Sequence, residues 1–220
     1  MKKPSVGRPK GENTANANRR RKQLIDAAVE SIVENGLANT TLATVAKASG
    51  LSQGTAVFYF TSKEALLYET FRYHLEEYRT ALMSALDSAG SDPVDRVVAR
   101  AFAAIDPRLL TRRDLAFWNS FWPEASRNAS LNAISKEYDT ERQRVMLALC
   151  EDAQAYFADS LWTPRTVAAA LETMIEGIWS RLHYSSAHLT VGGAQLLIGA
   201  LLAAIFRSRA EDIMKRATGG

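Results

Sequence analysis

Cysteine and histidine are nearly missing from this 220-residue chain. The single cysteine, Cys150, has no partner for an internal disulfide. Three scattered histidines, His74, His183 and His188, cannot complete a zinc site of ordinary ligand spacing with it. No metal and no cofactor are therefore expected. Glycine and proline are too few for a fibre or a low-complexity chain, and 47% hydrophobic residues are too many for pervasive disorder. No Gly-x-Ser-x-Gly elbow, phosphate-binding glycine loop or His-Glu-x-x-His is present, so no catalytic residue is expected. Glu172 and Glu176 stand one helical turn apart and read as a solvated face. The N-terminal charges have no apolar segment behind them, so no signal peptide is visible and the cytoplasm is the expected location. The longest run without a charge, residues 189–206, is interrupted by Gly192, Gly193, Gln195 and Gly199. It reads as a helix buried in a bundle, with a second copy of the chain covering its outer side, rather than as a membrane span.

What is present is a strong segregation of charge. Residues 1–22 hold eight basic side chains against one acid, Glu12, whereas residues 66–220 hold 17 bases and 19 acids. A basic end on a near-neutral body fits a polyanion partner at that end. Residues 1–18 lack any apolar period and read as a flexible basic arm. Within it Gly7-Arg8-Pro9-Lys10-Gly11 forms an extended strip in which Arg8 and Lys10 suit the negative potential of a narrow minor groove.

From Arg19 onward the period is helical throughout, and the expected class is all-α. Leu24, Ala28 and Ile32 recur every fourth residue, and Gly36 stands where that helix would stop. Thr41 can cap a short helix ending at Gly50, and Ser52 can cap a second that runs from Gln53 to Phe60. Two short helices joined by Gly50-Leu51-Ser52 form a helix-turn-helix, with Ala46, Leu51, Ala56 and Tyr59 filling its small core. Ser62 then caps a long helix carrying Leu66, Leu67, Phe71, Leu75, Tyr78 and Leu82. Further helices are expected over 93–105, 108–125, 130–158, 164–184 and 190–212, with Pro93, Pro107 and Pro164 in first turns. The count is nine.

The unbroken stretch from Thr40 to Leu66, with the helix before it, resembles the DNA-binding signature of the TetR family of transcriptional regulators. That resemblance implies a TetR-like homodimer with a helix-turn-helix, three-helix DNA-binding domain over residues 19–65. A helical bundle for ligand binding and dimerisation would follow over 66–220, the two copies pairing through the last two helices. It also implies repression at a near-palindromic DNA operator, relieved by a small-molecule effector. Gln53 would present its amide to an adenine edge, Gly54 would let the backbone approach the duplex, and Thr55 would meet a phosphate or base. Thr41, Tyr59 and Lys63 match family positions that grip phosphates. The family usually carries a tyrosine where this chain has Val57, which leaves only an apolar contact at that step.

In the C-terminal body Phe117, Trp118, Phe121 and Trp122 crowd two turns of one helix, with Tyr138 and Trp179 on later ones. Aromatic faces attract cations, quaternary ammonium above all, and Glu124 or Glu176 could add charge. The same rings could equally pack as core, leaving a ligand-independent or protein-regulated DNA binder. The run from Leu115 to Trp118, the helix from Tyr138 to Arg144 and the segment from Ile175 to Trp179 resemble the C-terminal domain of BetI-type, choline-responsive repressors. The implied effector is choline or another small cation held by Phe117, Trp118, Phe121, Trp122, Tyr138, Glu176 and Trp179.

Overall fold

The computed structural model describes residues 14–184 and 188–219. It contains ten α-helices and two short 3-10 turns, with no strand among the described residues. They divide into two compact units, one made of the residues up to His74 together with Ser120–Leu131, the other of Leu75–Asn119 and the residues from Asn132 onward.

The first unit opens with α1 (Thr14–Asn39). Residues 14–18 are thus helical rather than part of an arm, and Arg19 donates from Nη2 to Asn16 Oδ1 at 3.1 Å on that extra turn. Arg8 and Lys10 lie outside the described residues. At Gly36, φ is 77° and ψ 161°, a conformation that breaks the helix where a side chain would be strained. The buried Thr40 hydroxyl donates to the Gly36 carbonyl at 3.0 Å, satisfying a group the break exposes. Next come α2 (Leu42–Ser49) and α3 (Gln53–Tyr59). Thr41 accepts from the Thr44 N–H in a capping box, Gly50 closes α2 in the left-handed region, and Ser52 accepts from the Thr55 N–H. Ser62 Oγ does the same for Ala65 at the start of α4 (Lys63–Ser88).

Leu24, Ile25, Ala28, Val45, Ala46, Ala56, Phe60 and Leu66 form the unit's core, with Leu51 and Tyr59 partly buried against it. Hydrogen bonds and ion pairs fix α1 to its neighbours. Gln23 Nε2 donates to Ser49 O at 2.7 Å, and Arg21 meets Glu69 at 2.8 Å.

The second unit takes the C-terminal part of α4, then α5 (Pro93–Ala103), the start of α6 (Arg112–Ala125), most of α7 (Ala129–Asp152), α8 (Pro164–Tyr184), α9 (Val191–Ile205) and α10 (Ala210–Thr218). Helix α6 begins at Arg112, later than Pro107 would place it. Asp106 turns the chain by accepting the Arg108 N–H at 2.8 Å, and Thr111 supplies the actual cap by accepting the Asp114 N–H at 3.1 Å. The expected final helix is really two, separated by a 3-10 turn over Arg207–Arg209, which gives ten helices instead of nine. Gly199 admits the extra helix, since a Cβ there would lie 2.6 Å from Ala217 Cβ. Arg209 and Arg216 tie this end to the start of α5, reaching Asp92 at 3.3 Å and Asp95 at 3.0 Å. The apolar core joins Leu82 and Leu86 to Val97, Val98, Leu115, Met146, Leu149, Leu171, Ile175, Ile198 and Leu202. No helix among the described residues is long and apolar enough to cross a membrane.

Candidate functional site

Helix α3 is amphipathic over its two turns. Ala56 is fully buried against α1 and α2, while Gln53, Gly54 and Val57 are exposed, Val57 by 42%. Gln53 and Val57 are four residues apart and share that outer face. A Cβ on Gly54 would meet only Ser52 Oγ, at 3.8 Å, so the chain's own packing does not require glycine here. The Thr55 hydroxyl lies 2.9 Å from Ser52 Oγ and is part of the cap. Thr41 is likewise engaged, its hydroxyl accepting the Thr44 N–H at 3.1 Å. Both remain at the surface or near it, where a phosphate could add to these bonds. Lys63 donates from Nζ to the Ala38 carbonyl at 2.8 Å, so a phosphate must compete with an existing bond. Tyr59 stands edge-on to Phe58 with ring centroids 5.1 Å apart, whereas Phe60 is core.

The structure separates the six aromatic residues that sequence spacing groups together. Phe121 lies in the first unit and stacks on Phe71 at 4.9 Å and 12°, and Trp122 meets the same ring edge-on at 5.9 Å. Glu124 belongs to that unit as well. Phe117, Trp118, Tyr138 and Trp179 lie in the second unit, where the last three gather around Tyr78 of α4 and Phe117 meets Trp118 edge-on at 5.3 Å. Tyr78 is 5.3 Å from Trp179, 6.2 Å from Tyr138 and 6.5 Å from Trp118, and Trp118 is 6.3 Å from Trp179. Two of these rings share one anchor, for Tyr78 Oη and Trp179 Nε1 both donate to the Ala104 carbonyl, at 3.3 and 2.9 Å. Burial pushes the Tyr78 phenol up to about 12, against the opposing pull of Arg100 and Arg142.

Beside the rings lies a charged network that the sequence pattern does not announce. Glu172 is buried, its side chain only 8% exposed, which corrects its reading as half of a solvated pair. Only Glu176, at 62%, fits that description. Arg142 from α7 pairs closely with both carboxylates and reaches Asp139 at 3.6 Å. Arg100 from α5 is just 3% exposed and meets Glu172 Oε1 at 3.5 Å. Burial raises the Glu172 carboxyl above its ordinary range even though both arginines pull it down. Arg100 Nη1, Arg142 Nε and Tyr138 Oη are buried without a hydrogen-bond partner. A buried polar group without a partner costs about 1–3 kcal/mol, and more where it is charged. One signal for Arg100 was available, since it is the single charge in the apolar run from Val97 to Ile105. Glu172 and Arg142 carry no local signal, because their burial comes from helices far apart in sequence.

Comparison with known proteins assigns a family to each of two stretches of the chain. Residues 24–70 match the family model described as bacterial regulatory proteins, tetR family, and residues 93–207 match that of the BetI-type transcriptional repressor C-terminal domain. The HTH-type transcriptional regulator BetI of Stenotrophomonas maltophilia is 32% identical over 162 residues, covering 74% of this chain and 80% of the relative. Among solved structures, a transcriptional regulator of Pseudomonas aeruginosa PAO1 aligns with a TM-score of 0.74 at 19% identity, over 90% of this chain and 95% of its own. A regulator of Saccharomonospora viridis, solved in complex with choline, gives 0.75 at 18% identity over 84% and 96%. At such identities these two carry the fold alone.

Proposed function

The chain belongs to the TetR family of bacterial transcriptional regulators, with a BetI-type C-terminal domain, and from that premise we propose how its own residues read DNA and sense an effector. It is a DNA-binding regulator rather than an enzyme. Helix α3 enters the major groove with Gln53 toward an adenine edge, Gly54 against the backbone and Val57 on a thymine methyl. Thr41, Thr55, Tyr59 and Lys63 hold phosphates on either side, with Arg8 and Lys10 reaching the adjacent minor groove. The observation that carries this reading is the outer face of α3. It offers one long polar side chain, a glycine that the fold does not need and an exposed valine, while the inner face is closed on the core.

Two copies pair through α8 and α9. On α8 the exposed residues Thr166, Ala169, Thr173, Gly177 and Ser180 make a narrow uncharged stripe, and on α9 Leu196, Leu197 and Ala200 are exposed and apolar. Small side chains allow close helix approach, and α10 packs on α9 at Gly199 while Leu196, Leu197 and Ala200 stay exposed. Pairing of this kind presents two α3 helices to half-sites one helical turn apart, about 34 Å, which makes the operator near-palindromic.

The effector occupies the ring cluster of Tyr78, Trp118, Tyr138 and Trp179, whose apolar faces suit an ammonium or alkyl head. Phe117 backs Trp118, and Phe121 and Trp122 act through Phe71 rather than on the effector. Tyr78 lies on α4, the helix that begins at Lys63 beside the DNA-facing residues, so a ligand that displaces Tyr78 displaces α4. A coupling of roughly 1–3 kcal/mol lowers operator affinity about 5–150-fold and releases the repressor.

The test is footprinting of the chain's own promoter region at low salt, followed by titration of small ammonium compounds. A protected site with two-fold symmetry that is lost in Gln53→Ala supports the proposal. Protection of a single asymmetric half-site refutes the paired arrangement.

A further inference from the structure

We propose that the effector of the ring cluster carries a carboxylate, and that Arg100 and Tyr138 take it. The inference rests on the cluster being the effector site and adds the charge of the molecule that fills it. Three buried polar atoms beside the cluster have no partner, Arg100 Nη1, Arg142 Nε and Tyr138 Oη, and the Tyr138 phenol lies near enough to both arginines to feel their charge. Arg142 is well neutralised, by Glu172, Glu176 and Asp139. Glu172 is thereby drawn to Arg142 and meets Arg100 only at 3.5 Å. Arg100 is thus left as a deeply buried cation with one long contact to an anion. A guanidinium does not shed its proton, and its planar fork matches a carboxylate. Tyr138 Oη is a hydroxyl able to donate to the same anion, and its ring is 6.2 Å from Tyr78.

The rings decide what the rest of the molecule is. Tyr78 and Trp179 spend their polar groups on the Ala104 carbonyl, so they offer apolar faces to a ligand. The fitting class is a small acid with a compact alkyl or trimethylammonium head. A plain cation such as choline would satisfy the rings, yet it would bring positive charge toward Arg100 and leave both Arg100 Nη1 and Tyr138 Oη unpaired.

Four probes of nearly equal shape separate head from tail. Choline and glycine betaine carry the trimethylammonium head with an alcohol or an acid. The alcohol 3,3-dimethylbutan-1-ol and the acid 3,3-dimethylbutanoate carry the uncharged tert-butyl equivalent. Binding is read by tryptophan fluorescence and by release of operator DNA. Each acid is expected to bind at least about ten-fold tighter than the alcohol with the same head. Tyr138→Phe removes only an unpaired hydroxyl. It is expected to melt no lower than the parent and to weaken the acids about ten-fold more than the alcohols. Arg100→Met, where it folds, loses the acids altogether. Alcohols that bind as tightly as acids, or unchanged acid affinity in Tyr138→Phe, overturn the carboxylate while leaving the ring site intact. Failure of all four probes at millimolar concentration, with operator binding preserved, overturns the ring site as well.

Discussion

Substituting Gly54 by alanine isolates the DNA-facing role of α3 from its folding. A Cβ at this position touches nothing of its own chain except Ser52 Oγ at 3.8 Å, an ordinary van der Waals distance. Its backbone is helical, and alanine is preferred over glycine in a helix by up to about 1 kcal/mol, less in a first turn. For a chain of this length that corresponds to a gain of zero to about 4 °C in melting temperature. On the duplex the balance reverses. Where the backbone of Gly54 lies in contact with DNA, a methyl group pushes the helix out by about one bond length, roughly 1.5 Å. A shift of that size breaks the paired hydrogen bonds of Gln53, which contribute about 1–3 kcal/mol at each half-site. Two half-sites then lose about 2–6 kcal/mol, a weakening of about 30-fold or more. Thermal unfolding followed by circular dichroism reads the first effect. Fluorescence anisotropy with operator and unrelated duplexes at one fixed salt concentration reads the second. An operator affinity equal to the parent's would remove Gly54 from the interface. A lower melting temperature would refute the open surroundings that the argument uses.

The remaining expectations test other parts of the molecule. Gly199→Ala is the opposite case, since its methyl would sit 2.6 Å from Ala217 Cβ with no rotatable side chain to yield. Overpacking of about 1–3 kcal/mol outweighs the helical gain, so the melting temperature falls by several degrees, and an unchanged value would mean that α10 does not hold this position. Burial pushes the Cys150 thiol up to about 12, so at pH 8 about one thiol in ten thousand is ionised. Reaction with a disulfide reagent should therefore follow global unfolding, and rapid labelling of native protein would contradict that. Asp92 has its carboxyl held below the usual range, first by the Asp95 N–H and then by Arg209. Its stabilisation is present above the unfolded value and is lost as pH falls through the folded one. Asp92→Asn keeps a cap and should flatten the acid limb of the stability curve, and an unaltered limb would refute the assignment.

Local signals made the first unit legible. Thr41, Gly50, Ser52 and Ser62 are all read from sequence as caps or stops, and each acts as one, because a cap depends only on residues three or four positions away. Pro164 opens α8 for the same reason. Thr111 was harder to see, since Pro107 offers a competing start and only the Asp106 turn decides against it. The split after α9 depends on Gly199 meeting Ala217, a contact that no helical period encodes.

The effector site shows where periodicity runs out. Trp118 and Trp122 share a helical face, and spacing alone assigns them to one cluster. Helix α6, however, starts in one unit and ends in the other, so residues a turn apart meet different partners, Trp179 for Trp118 and Phe71 for Trp122. Charge is misread in a related way. Glu172 and Glu176 look alike on a helical wheel, yet only Glu172 lies beneath Arg100 and Arg142, where burial changes the sign of its proton affinity shift from what an exposed ion pair would give. A helical period locates the inward face of each element. Which faces meet is settled by tertiary packing, and in this chain that meeting brings two arginines near the Tyr78 and Tyr138 phenols.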